Sequence, residues 1–162
     1  MTSQCGVSSD VRFRVYVSWY IELFSSAFYC RIERLCLFLQ LLLGSSVIGE
    51  LWNAQLAGFF VVLITCYQFT WKPGTVGDNA GRQASSYSAL IDELCNLDND
   101  AVIARLKKIE TADTTTPLLA IRKMARIQAC VTTGNHKTAE EEIKKLSFFR
   151  RAIIWFAGGI QC

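Results

Sequence analysis

The residues able to do chemistry in this chain are few, and their spacing argues against a catalytic centre. The single histidine, His136, sits in a Gly134-Asn135-His136-Lys137 stretch that reads as a surface turn, with no nucleophile at a spacing that would use it. Asp92-Glu93 and Asp98-x-Asp100 gather carboxylates as a cation site would. A calcium loop opening at Asp98 needs glycine at its sixth position, and that position is Ile103. Asn99 and Asp100 serve better as helix-start residues. Gly74-x-x-Gly77-x-x-x-Gly81 has the look of a phosphate-cradling loop, but no Gly-Lys-Ser/Thr follows and no strand precedes it. The sequence therefore assigns no catalytic, metal-ligating or cofactor-binding residue, and the expectation is a protein that is not an enzyme.

Seven cysteines, at positions 5, 30, 36, 66, 95, 130 and 162, are never closer than six residues apart. No Cys-x-x-Cys or zinc-knuckle spacing results. The number is odd and the N-terminus carries no charged-then-apolar secretory signal, so the expectation is small buried hydrophobes in a reducing compartment rather than a disulfide framework. Cys162 is not a prenylation box, which places its cysteine four residues from the end.

The elements that would position these residues follow from composition. The 162 residues are 51% hydrophobic and only 19% charged, with a mean hydropathy of +0.25. Soluble domains carry about 25% charged residues, so this chain is apolar. Disorder and collagen-like repeats are poor fits, and a net charge of +3 is too slight to imply a nucleic-acid partner. The predicted class is all-α: an integral membrane two-helix hairpin with an N-terminal juxtamembrane helix and a small cytosolic helical domain, its first partner the lipid bilayer.

Residues 35–71 contain no Lys or Arg and one acid, Glu50. As one helix they would reach about 55 Å, far beyond a hydrocarbon core of about 30 Å, so the segment must double back, most naturally at 49–53. The second arm, 52–71, is about 28 Å long with Trp52 and Trp71 as interfacial anchors at its ends. Lys72-Pro73-Gly74 then breaks the helix. The first arm has only 15 uncharged residues, 35–49. It either becomes a span by starting near Arg31, with Arg31 and Arg34 snorkelling to the interface, or lies as a re-entrant helix. Four Arg precede Leu35, thirteen Lys or Arg follow Trp71 and none lies in the reversal. The positive-inside rule then puts both termini in the cytoplasm, as a multi-pass protein of the inner (plasma) membrane.

Gln40 and Gln55 are amides within this apolar stretch, and such groups seek partners across helices. Ala54-x-x-x-Gly58 is a small-xxx-small pair that permits close helix approach, either within the hairpin or between chains as a homo-oligomer. Two helices alone cannot enclose a pore, so any channel needs several copies.

Residues 11–30 read either as an interfacial amphipathic helix or as a cover for the cytosolic domain. Residues 73–81, rich in glycine, read as a linker. Helices are expected at 82–96, 99–110 and 117–133, the last stopped by Gly134, with a fourth opened by a Thr138-x-x-Glu141 capping box and running through Leu146. The chain thus divides into segments 1–30, 31–72, 73–81, 82–147 and 148–162. The last segment is apolar around Arg150 and Arg151, and either lies in the interface or packs into the cytosolic core.

Ala125, Gly134, Ala139 and Ile143 fall where the turn of a single tetratricopeptide-type helical hairpin would have them. That resemblance covers about thirty residues, with no second copy at the 34-residue period. It marks 117–146 as a helical hairpin able to bind a cytosolic partner. In topology and helix order, residues 11–110 resemble the SLATT family of bacterial two-transmembrane effector domains, without a shared motif. The resemblance implies an oligomer-forming inner-membrane protein that permeabilises the membrane, a phage-defence or phage-encoded effector. The alternative is a membrane-anchored module whose hairpin at 117–146 recruits a cytosolic protein.

Overall fold

The computed structural model describes residues 6–48, 54–112, 118–144 and 155–156. Among these the fold is all-helical, with six α-helices and no strand. Helix α1 runs unbroken over Ser9–Ile48, 40 residues and about 60 Å of rise. Ser8 accepts the first ladder bond, from the Arg12 amide, and Asp10 lies in the first turn, where the helix dipole favours an acid. No glycine or proline falls between Ser9 and Gly44, so nothing in that stretch interrupts the helix. The alternation of residues 11–18, which suits a strand, is overridden: Val11, Val15 and Trp19 face one way at helical spacing, onto one core cluster.

After the reversal, whose residues 49–53 lie outside the described ones, α2 occupies Ala54–Trp71 and α3 Pro73–Glu93. Their joint is Lys72, left-handed at φ 44° and ψ 55°, followed by proline at the first helical position. The Lys72 amide bonds to Gln68 O and the Val76 amide to Lys72 O, so the hydrogen-bond ladder continues on both sides of the joint.

The glycine-rich stretch 73–81 is therefore the first two turns of α3 and not a linker. Its glycines are a docking face. A Cβ added at Gly74 would touch Glu33, one at Gly77 would meet Cys30, and one at Gly81 would meet Ser26. The partners descend 33, 30, 26 as the glycines ascend 74, 77, 81, so α3 lies antiparallel against α1. Further along, Ala80 and Ala84 give way to Tyr87 and Leu90, all buried, and the side chains filling the interface grow larger.

A short 3-10 turn, Leu94–Asn96, leads to α4 at Asn99–Glu110, the bounds read from the sequence. Val7 and Val15 pack with Tyr87, Leu90 and Leu94 of the α3 end and with Val102 and Leu106 of α4. On another face of α1, Phe24 meets Ile121, Met124 and Ala125 of α5, Leu119–Thr132. Helix α5 ends in a Schellman motif: the Gly134 amide bonds to Val131 O, the Asn135 amide to Cys130 O, and Gly134 adopts φ +84°.

Helix α6, His136–Lys144, starts three residues earlier than the capping-box reading. The residue before the helix is Asn135, whose Oδ1 accepts the Thr138 hydroxyl at 3.0 Å. Ala139 is buried against Ile127 and Cys130, closing the α5–α6 hairpin.

The lower part of α1 is thus the spine of the helical domain, and residues 11–30 cover that domain instead of standing apart as a juxtamembrane segment. The whole is all-α with one helical stretch, opening at Ala54, long and apolar enough to cross a membrane.

Candidate functional site

Above Arg34 the character of α1 changes from buried spine to exposed apolar rod. Leu35, Leu37, Phe38, Leu39, Leu41 and Leu42 are all exposed, Leu41 by 74%. On α2 the same holds for Leu56, Phe59, Phe60, Val62, Leu63 and Phe69, the last by 78%. Scattered exposed leucines are ordinary on a soluble protein, but a contiguous band on two packed helices is not. The described uncharged part of α1, residues 35–48, rises about 21 Å, and the 18 residues of α2 about 27 Å.

A polar collar bounds the band on its lower side. Arg31, Arg34, Trp71 and Lys72 are exposed there. The Trp71 ring stacks on Tyr67 at 5.5 Å between centroids, and Lys72 Nζ sits 6.0 Å from the centre of Phe69. The sequence assigns Arg31, Arg34 and Trp71 as anchors, and in the structure all three are exposed. Trp52 lies outside the described residues. Arg31 has a further role: its Nη1 donates to the carbonyl of Phe156 at 2.6 Å, and the Phe156 ring meets Phe28 edge-on at 5.8 Å. The described part of the C-terminal segment is thus held at the collar, with Trp155 exposed.

Inside the band Gln40, Thr65, Ser45 and Gln55 find partners within the chain. Gln40 Nε2 donates to Thr65 Oγ1 across the two helices at 3.0 Å, and the Thr65 hydroxyl donates to Val61 O at 2.8 Å. Ser45 Oγ donates to Leu42 O, and Gln55 is partnered as well. In an apolar medium an unmade hydrogen bond costs several kcal/mol, so this pairing suits the band to such a medium. The small pair does not pack within the hairpin. Ala57 is the buried small residue of α2, whereas Ala54 is exposed and a Cβ on Gly58 would meet nothing within 4 Å.

At the collar Glu33 packs on Gly74 in the first turn of α3, with Oε2 buried and without a hydrogen-bond partner among the described residues. The positive end of the α3 dipole favours a carboxylate there. Deeper in the same α1–α3 seam, Gly81 packs on Ser26. Sequence reasoning missed this seam because glycine was taken as a breaker. The signal that finds it is the helical spacing of Gly77, Ala80, Gly81 and Ala84.

The residues weighed for catalysis are not brought together. His136 is exposed at the start of α6, Glu93 is ion-paired with Arg105, and among the described residues no three His, Cys, Asp or Glu side chains gather as a metal site would. The cysteine expectation is corrected. Cys130 is buried, but Cys66 is exposed, and the exposed Cys95 is disulfide-bonded. Odd number and wide spacing do not forbid a pair that only tertiary folding brings together. No family model, curated protein or solved structure matches the chain.

Proposed function

We propose that this is a non-enzymatic membrane protein that inserts the upper part of α1 and all of α2 as a hairpin, self-associates, and permeabilises the inner membrane. The exposed apolar band bounded by Arg31, Arg34, Trp71 and Lys72 carries the reading. Exposed leucine and phenylalanine side chains lose an unfavourable water contact on entering lipid, each worth about 1.5–3 kcal/mol. The collar residues stay at the headgroups. The open face at Ala54 and Gly58 supports contact between copies, since a small residue without an intramolecular neighbour lets a second helix approach closely. Both termini then lie on the cytoplasmic side. The SLATT-like resemblance of residues 11–110 supports the same reading, that of a phage-defence or phage-encoded effector.

The test is dye release from vesicles and growth arrest on induced expression. Wild type releases dye and arrests growth, and Gly58→Ile, at equal protein level, does neither. A well-inserted wild-type protein that leaves vesicles sealed would sink the proposal. A second reading, a membrane-anchored module that recruits a cytosolic protein through the α5–α6 hairpin, draws on Leu118 and Leu119, exposed by 42% and 61% at the start of α5. It expects Leu119→Asp to abolish partner capture while insertion is unchanged.

A further inference from the structure

We propose that the groove between α3 and α4 binds a soluble, phosphate-bearing anion of nucleotide size. Helix α3 uses one face on α1 and turns another, Asn79, Arg82, Gln83 and Ser86 at i, i+3, i+4 and i+7, toward α4. From the α4 side, Arg105, Lys108, Ile109 and Ala112 repeat the same spacing. Between them lie two adjoining cavities of about 420 and 560 Å³ that share Gln83, Ser86 and Ala112. Sites for small molecules fall in this size range, about 300–1,000 Å³. Gln83 Nε2 donates to Ala112 O at 2.8 Å and holds the end of α4 against α3.

Among the described residues lining the groove the charge is unbalanced, with Arg82, Arg105 and Lys108 and no acid. Arg105 is paired with Glu93. The side chains of Arg82 and Lys108 make no hydrogen bond or ion pair among the described residues. An anion placed between them would relieve that excess, with the Arg82 guanidinium presenting the paired donors that suit a phosphate. Ile109 and Ala112 supply an apolar wall for a flat ring, and the amide of Asn79 supplies a neutral donor.

A lipid headgroup carries the same phosphate chemistry. Arg82, however, lies ten residues beyond Lys72, about 15 Å further along the helix, whereas the interfacial layer adds only about 5–8 Å to each side of the hydrocarbon core. The groove therefore sits below the headgroups. This choice of source, though not the anion site itself, rests on the membrane reading.

The experiment uses the full chain, once in detergent and once in phosphatidylcholine nanodiscs, with ATP and inorganic tripolyphosphate as calorimetric probes. Expected is saturable binding of ATP, weakened at least about tenfold in the Arg82→Gln/Lys108→Gln double variant, whose thermal unfolding is unchanged. Absence of saturable binding of either probe overturns the proposal, as does an affinity the double variant leaves intact. Binding only to phosphatidylserine vesicles, lost in that variant, overturns the soluble source and assigns the groove to lipid. If the protein fails to enter nanodiscs the membrane reading falls, while the detergent arm still reports on the groove.

Discussion

A methyl group added to Gly77 would lie 2.8 Å from Cys30 Sγ, closer than packed atoms tolerate, and 3.1 Å from the Cys30 amide nitrogen, a tight contact. At Gly74 the same methyl would meet the Glu33 side chain at 3.4 Å, an ordinary contact. Two glycines three residues apart should thus respond in opposite directions. Gly77→Ala should cost about 1–3 kcal/mol by forcing α1 and α3 apart. Gly74→Ala should be neutral or stabilising by up to about 1 kcal/mol, since alanine is the better helix former. Denaturant titration of the detergent-solubilised protein compares them; equal losses would mean that α3 does not dock by this face. The Gln40–Thr65 bond is a smaller matter. Thr65 keeps its bond to Val61 O when Gln40 becomes leucine, so Gln40→Leu should cost under about 1 kcal/mol by the same titration.

At the scale of elements, the hinge between the apolar band and the helical domain is Lys72. A non-glycine residue in the left-handed region carries a cost of about 1–2 kcal/mol, and a β-branched one carries more. Lys72→Val should lower the unfolding midpoint and Lys72→Gly should not; the reverse order would deny the left-handed joint. Helix α1 crosses the same level without a joint, so it couples both halves mechanically. Its Arg14 reaches Glu110 of α4 through contacts of 2.7–3.2 Å, and the Tyr20 hydroxyl meets Thr132 of α5 at 2.9 Å. Helix existence was legible here: α4 has the bounds read from the sequence, and Gly134 does stop α5. The start of α6 was not, because Asn135 and Thr138 are both good cap residues and only the backbone path shows which one precedes the first turn.

For the whole molecule, the apolar band and the basic residues flanking it make the orientation testable. With the helical domain in the cytoplasm, glutathione should reduce the disulfide of the exposed Cys95. Cys95 should then be modified by a thiol reagent in cells quenched with acid, and become protected only after an oxidant is added. Protection without oxidant would put the helical domain on the oxidising side and invert the proposed topology. Cys66, exposed on α2 within the band, offers a second probe. In intact vesicles it should resist a charged maleimide and react with an apolar one, whereas equal reaction with both would mean that α2 lies in water.

Composition and the run of uncharged residues at 35–71 already dictate an all-helical chain with an apolar hairpin, because hydropathy and the absence of charge are properties of the residues themselves. Two things were beyond them. Whether glycines at 74, 77 and 81 break a helix or let one nestle against a neighbour depends on what lies opposite. Propensity alone favours the break, and the proximity of Cys30 and Ser26 on α1 reverses it. Likewise Arg82 and Lys108 read as solvated charges until α3 and α4 place them along one groove, since electrostatics depends on distances between residues remote in the chain.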